Sequence, residues 1–258
     1  MIGDVVGDAG LCALEHLLPS IKTGYGAVLA VVNGENAAEG FGMTANDAQR
    51  IFDAGCDVIT SGNHVWEKRD FWAVMDNDTR ILRPANYPEP AAGRGFIHIE
   101  KNGISFLVIN LQGREMISPI DCPFRTFDRI LNSLPPTPLI LVDFHAESSA
   151  EKEALSFYLD GRAAVVAGTH THTQTADEKI LPLGTAYITD LGFTGVLDSV
   201  IGMDKKICIK RAVSSVAYSM ECAKGEASIQ GIAVQIDLDS GKAVSIERFS
   251  RSAILTQP

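Results

Sequence analysis

Four of the six histidines in this 258-residue chain fall in short polar clusters that also carry carboxylates and side-chain amides. In chain order these are Gly3-Asp4, Asn33-Gly34-Glu35-Asn36, Gly62-Asn63-His64, Asp143-Phe144-His145 and Gly168-Thr169-His170-Thr171-His172. They offer two carboxylates (Asp4, Glu35), two amides (Asn36, Asn63) and four imidazoles (His64, His145, His170, His172). Such a mixed oxygen and nitrogen set suits borderline divalent metals such as Mn, Fe, Co, Ni or Zn. It is too rich in nitrogen for calcium and lacks the thiolates of structural zinc. Eight candidate ligands exceed one coordination sphere, so the economical reading is a two-metal centre bridged by Glu35. Read one at a time, each residue is as well explained as a loop side chain with its hydrogen bonds met. The joint pattern points to metal.

The clusters need elements to bring them together. Apolar runs at 27–33 (AVLAVVN), 57–60 (DVIT), 104–110 (ISFLVIN), 139–144 (LILVDF) and 163–168 (AAVVAG) read as strands buried on both faces. Helical patterns lie between them. Thr44 caps a helix over 45–54, with Asp47 at its third position and Gly55 as its stop. Ser148 and Glu151 form a capping box ahead of 152–159, and Asp121 caps a helix whose first turn tolerates Pro123. The segments 227–237 and 242–248 read as a hairpin about Asp239-Ser240-Gly241. The alternation predicts a layered α/β fold with helices flanking central sheet, as one domain over 1–258. Each polar cluster then lies at the carboxyl end of a strand, where ligands bind in open α/β sheets. The first strand, 1–6, reaches its polar residue after three positions, short for a buried strand.

Composition narrows the function. A chain 46% hydrophobic and 21% charged is globular, and its net charge of −10 repels a long phosphate backbone. Bulk nucleic acid is thus excluded as a partner, while a small anion offset by metal charge is retained. Cys12, Cys56, Cys122, Cys208 and Cys222 are odd in number and form no CxxC pair, against a disulfide framework or a cysteine-based zinc site. No apolar run nears the roughly 20 residues that span a bilayer, and no leader pattern opens the chain. The expectation is a cytoplasmic protein with no membrane partner; a homo-oligomer is left open.

The ordered motifs resemble the calcineurin-like metallophosphoesterases, and within them the YmdB-like bacterial phosphodiesterases. GDVVG (3–7), NGENAAEGFG (33–42), GNHVW (62–66), LRPANYP (82–88), INLQGR (109–114), DFHAE (143–147), GTHTHTQTAD (168–177) and ITDLGFTG (188–195) carry the resemblance along essentially the whole chain. It implies an α/β sandwich of central mixed β-sheets flanked by helices, and several further residues ahead of Gly3-Asp4. It implies one metal on Asp4, Glu35 and His172 and a second on Glu35, Asn63, His145 and His170, with Asn36 beside the first. The ions implied are transition metals, divalent or trivalent: Fe or Mn, with Zn as an alternative. Position 6 is Val and the bridge is Glu35, both features of the YmdB-like branch, leaving the first metal fewer protein ligands.

The implied reaction is hydrolysis of a small phosphodiester, a nucleoside 2′,3′-cyclic monophosphate. Paired cations sharing a water lower its pKa towards neutrality and make a hydroxide nucleophile, and His64 protonates the leaving group. The alternatives are a phosphomonoesterase or protein phosphatase, and a regulatory nucleotide-binding protein with little turnover. Several residues have two readings each. Arg114 binds phosphate or forms a salt bridge; Asp143, Glu147 and Asp190 orient ligand histidines or cap and pair; Trp66, Tyr87 and Phe193 stack on a base or fill the core. His16 and His98 are expected at the surface, and Cys56 in the core.

Overall fold

The computed structural model describes residues 1–135 and 139–252. Two sheets face each other and helices cover their outer faces. One sheet is β4 (Phe96–Lys101), β5 (Ile104–Gln112), β6 (Leu139–His145), β7 (Val165–Thr169), β8 (Lys179–Ile180) and β9 (Ala186–Ile188), in the order β4-β5-β6-β7-β9-β8. Within it β5, β6, β7 and β9 run parallel, and β4 and β8 are antiparallel edges. The other sheet orders β1 (Asp4–Val5), β10 (Phe193–Val196), β11 (Ala227–Ile236) and β12 (Ala243–Ser252). A parallel pair, β2 (Val31–Asn33) and β3 (Val58–Thr60), joins this sheet through bridges from Ile2 to Val32 and Gly231 and from Val6 to Asn36.

Helices α1 (Gly7–Tyr25) and α2 (Ala45–Asp53) cover β2, β3 and β11, where Leu11, Leu14, Leu18 and Ile51 meet Val32, Ile59 and Ile229. On the far side, α4 (Pro123–Ser133) and α5 (Ser149–Tyr158) cover β5–β7, with Phe127, Ile130 and Leu155 against Leu107, Ile109, Val142 and Phe144. Between α2 and β4 lies the short α3 (Trp72–Asn77), and α6 (Lys205–Ser214) follows β10. The expected layers of helix, sheet, sheet and helix are present.

Strand alternation explains where the chemistry collects. Successive side chains point to opposite faces. The residues facing the other sheet begin apolar: Val31, Val58, Phe106, Val108, Leu139, Leu141, Val165 and Ala167 form the core between the sheets. Two residues on, the same faces turn polar, at Asn33, Thr60, Asn110, Gln112, Asp143, His145 and Thr169, all buried. The site is therefore the polar end of an otherwise apolar interface.

Local expectations meet mixed outcomes. Thr44 and Asp47 form the reciprocal capping box, and Gly55 (φ 103°) follows α2. Ser148 caps α5 by accepting from the Glu151 amide, but the Glu151 carboxylate does not reach back. It accepts instead from the amides of Arg114 and Glu115 and ties α5 to the loop after β5. Asp121 does not cap α4; Cys122 precedes Pro123, which removes one of the donors a cap would serve. The hairpin forms as β11 and β12, its turn held by Asp237 accepting from Ser240. The run 27–33 is strand only from Val31, and the segments of β8, β9 and α6 were not expected from pattern.

One buried ion pair braces the loop after β7. Lys152 on α5 and Asp190 after β9 pair at 2.7 Å with side chains 1% and 0% exposed. Asp190 also accepts from the Thr171 amide and hydroxyl and from the Gly192 amide. Lys152→Met leaves this carboxylate buried and uncompensated, and should cost about 3–5 kcal/mol of stability. A urea titration reads that loss; an unchanged midpoint would mean that the pair carries no net stability.

Candidate metal centre

Six of the seven predicted ligands converge at the polar end of the inter-sheet face. A nitrogen or oxygen from each of Glu35, His145 and His170 lies within 4.8 Å of the others, a group able to hold a metal ion. His145 Nε2 is 3.0 Å from Glu35 Oε1, 2.9 Å from Asn63 Oδ1 and 3.0 Å from His170 Nδ1. Asp4 Oδ1 stands 3.9 Å from His172 Nε2 and 4.0 Å from His145 Nδ1. Asn36, the seventh, turns its amide nitrogen to the Gly40 carbonyl at 2.9 Å. His64 stands at the rim: its backbone N–H donates to Glu35 Oε2 at 3.0 Å, and its half-buried ring meets Phe41 edge-on at 5.1 Å.

These residues fit a cation. The Asp4 and Asn36 Oδ1 atoms are buried and have no hydrogen-bond partner among the described residues, a costly state that a bound cation would relieve. His145 Nε2 faces a carboxylate, an amide oxygen and a second imidazole, more partners than one ring nitrogen can serve by hydrogen bonding. The donor set of carboxylate, amide oxygen and neutral imidazole is that of borderline transition metals.

Local backbone places the groups. A Cβ at Gly62 would fall 2.2 Å from the His145 ring, so only glycine lets the Asn63 loop pass this close. His170 and His172 take φ values of 102° and 60°, a conformation that costs non-glycine residues about 1–3 kcal/mol. The Asp190 contacts to Thr171 hold the turn between them.

The buried charges divide sharply. Burial pushes the Asp4 carboxyl up to about 7, against the pull of His172 and His145. Burial would also raise Glu35, but the charge and hydrogen bond of His145, with His64 adding to them, overcome it and hold Glu35 at about 2. Burial would lower His145, yet Glu35 and Asp4 lift it to about 9. His170 falls to about 3 through burial and the neighbouring His145, so its ring is neutral.

Surrounding residues sort themselves. Glu147 Oε2 lies 3.2 Å from His170 Nε2, a pairing that would also orient this ring. Asp143 reaches His145 only through the Thr169 hydroxyl, and Asp190 acts on the backbone turn. Arg114 has an exposed side chain without an ion pair among the described residues, so the salt bridge does not form. Trp66 and Tyr87 pack edge-on at 5.5 Å, and Phe193 stacks on His172 at 5.7 Å. His16 and His98 are exposed, and Cys56 is buried with its thiol pushed up to about 12 by that burial.

Sequence reasoning missed two residues. Gln112 pairs in register with His145, is fully buried, and has an amide nitrogen without a partner among the described residues. Counting in twos from Phe106 would have found it. Phe41, 37% exposed against the His64 ring, has no comparable signal. An apolar cavity of about 660 Å³ lies at the opposite, amino-terminal ends of the strands, beside Val28, Phe106, Leu139 and Val165.

Facing mixed sheets between helices, with carboxylates, amides and imidazoles gathered at the strand carboxyl ends, define the metallophosphoesterase class of α/β sandwich. The chain belongs to the YmdB-like protein family, whose model matches residues 1–249. A relative in Bacillus subtilis (strain 168), named 2′,3′-cyclic-nucleotide 2′-phosphodiesterase, is 44% identical over 249 residues, covering 96% of this chain and 94% of its own. A crystal structure of a hypothetical protein from Thermus thermophilus superposes with a TM-score of 0.92 at 37% identity, covering 97% of each chain. A Mycoplasma pneumoniae crystal structure described as a novel phosphatase gives 0.92 at 32% identity, covering 97% of this chain and 92% of that one.

The charge pattern sets a pH dependence. Below about 9 the His145 ring carries a proton that a cation binding at Nε2 would have to displace. Metal affinity should therefore fall as pH drops, by about tenfold per unit where one proton exchanges, and level off above about 9. Chelator competition with Mn across neutral to alkaline pH measures this; a flat profile would mean that His145 is not displaced from its proton.

Proposed function

We propose that this protein is a metal-dependent phosphodiesterase that opens nucleoside 2′,3′-cyclic monophosphates. One observation carries the reading: Glu35, Asn63, His145 and His170 converge within ligand distance in a chain 44% identical to a relative of that name. Asp4, Glu35 and His172 would hold one transition-metal ion and Glu35, Asn63, His145 and His170 the other, with Asn36 Oδ1 supplementing the first. When bound, the ions supply positive charge for the phosphate oxygens and acidify a water.

The chain's own residues account for the rest. In the net reaction water adds to phosphorus, one P–O bond to a ribose oxygen breaks, and that oxygen needs a proton. His64 is suited to deliver it. Glu35 clasps its backbone N–H, Glu67 faces its Nδ1 at 3.4 Å, and its Nε2 has no partner among the described residues. Asp4 and Glu35 left bare would repel an anionic phosphate, and the bound ions offset that repulsion.

The phosphatase description of the Mycoplasma pneumoniae relative keeps a second reading open, a phosphomonoesterase working at the same centre. Turnover of 2′,3′-cyclic nucleotides against p-nitrophenyl phosphate, with Mn supplied, separates the two. The diesterase reading expects preference for the cyclic diester; faster monoester turnover overturns it.

Removing the acid tests its role. His64→Ala should lower kcat by roughly 10²–10⁴-fold, the usual contribution of one acid–base group, while metal content by mass spectrometry matches that of the wild type. Loss of metal in that variant would make His64 a ligand and defeat the assignment.

A further inference from the structure

Beneath the ligand cluster, three polar side chains form a chain with a fixed direction. The Thr169 hydroxyl lies 2.7 Å from Asp143 Oδ1, 3.0 Å from His145 Nδ1 and 3.4 Å from Asn33 Nδ2. A hydroxyl has one proton to give and two lone pairs to receive. Asn33 Nδ2 only donates, so it occupies one lone pair. The Asp143 carboxylate takes the proton: its Oδ2 already accepts from Thr60 and Asn33, and Oδ1 accepts from Thr169. What remains for His145 is the second lone pair. His145 Nδ1 must therefore be the donor, and Nε2 is the nitrogen that turns to Glu35, Asn63 and His170.

We propose that Thr169 is a positioning residue for the metal centre: its hydroxyl, oriented by Asp143, holds the His145 ring by Nδ1–H and commits Nε2 to the ion. The inference rests on the reading of His145 as a metal ligand. Geometry favours this role over simple polar filling. Thr169 and His145 are register partners on neighbouring parallel strands, so both side chains rise on the same face at fixed spacing. Both are fully buried, and no water need intervene. Partners of this kind fix the tautomer and plane of a ligating imidazole, and their loss typically weakens metal binding by about 10–100-fold.

The test is Mn affinity of the metal-depleted full chain by chelator competition, for wild type and for Thr169→Val, Thr169→Ser and His145→Ala. Thr169→Val keeps the shape and removes the hydroxyl, and it should weaken binding by about 10–100-fold. Thr169→Ser restores the hydroxyl and should bind close to wild type. A valine variant that binds as tightly as wild type, while His145→Ala loses the metal, overturns the role of Thr169 and leaves the metal reading standing. His145→Ala with wild-type affinity overturns the metal reading itself. If the valine variant does not fold, Thr169→Cys carries the test. A thiol is a weak donor and acceptor, so weaker binding supports the proposal and wild-type affinity defeats it.

Discussion

One buried carboxylate sets the terms for the site. Asp143, 1% exposed, sits where the inner face of β6 turns from apolar to polar, with no Lys or Arg beside it among the described residues. Isolated from water, such a group must be matched by hydrogen bonds or it destabilises the fold. Its partners come from both sheets: Thr60 on β3 at 2.5 Å, Asn33 on β2 at 3.2 Å and Thr169 on β7 at 2.7 Å. Burial raises its pKa while these donors and His145 oppose the rise. The carboxylate thus stitches together two sheets whose inner contacts are otherwise mostly hydrophobic, and it fixes their spacing at the end where ligands must meet.

Above that stitched floor the rules invert. The next layer holds groups whose hydrogen bonds are not all met among the described residues, Asp4 Oδ1 and Asn36 Oδ1 included. It holds two histidines at positive φ and a glycine pressed against an imidazole ring. Strain and unmatched polarity persist only where surrounding structure over-determines them. Here the Lys152–Asp190 pair and the Asp143 network supply that support, one from beside the loop and one from beneath the cluster. The same division would let a chain of net charge −10 receive a phosphate, as the proposed function requires. In that reading Asp4 and Glu35 would hold cations, and the cations would offset the acidic charge facing the substrate.

Much of this was legible in the sequence. The strand runs at 104–110 and 139–144 are apolar on both faces because helices cover one side and a second sheet the other, and that is how they read. Asp4, Glu35, Asn63, His145, His170 and His172 stood out because reactive side chain types recur at strand ends. Less legible was anything set by partners distant in the chain. Glu151 gave up its capping box for the Arg114 and Glu115 amides, a contact no local pattern encodes. Strand β10 and the pair β8–β9 are short and draw their stability from neighbours. Thr60 and Thr169 pass for ordinary strand residues until the folded structure shows their hydroxyls donating to Asp143.

The central claim is that the polar end of the inter-sheet face is a two-cation site. Anomalous diffraction from crystals grown with Mn, collected near the Mn absorption edge, tests it most directly. The account predicts two adjacent peaks per chain, one touching Asp4, Glu35 and His172 and the other Glu35, Asn63, His145 and His170. Peaks elsewhere, or none within coordinating distance of Glu35 at saturating Mn, would contradict it.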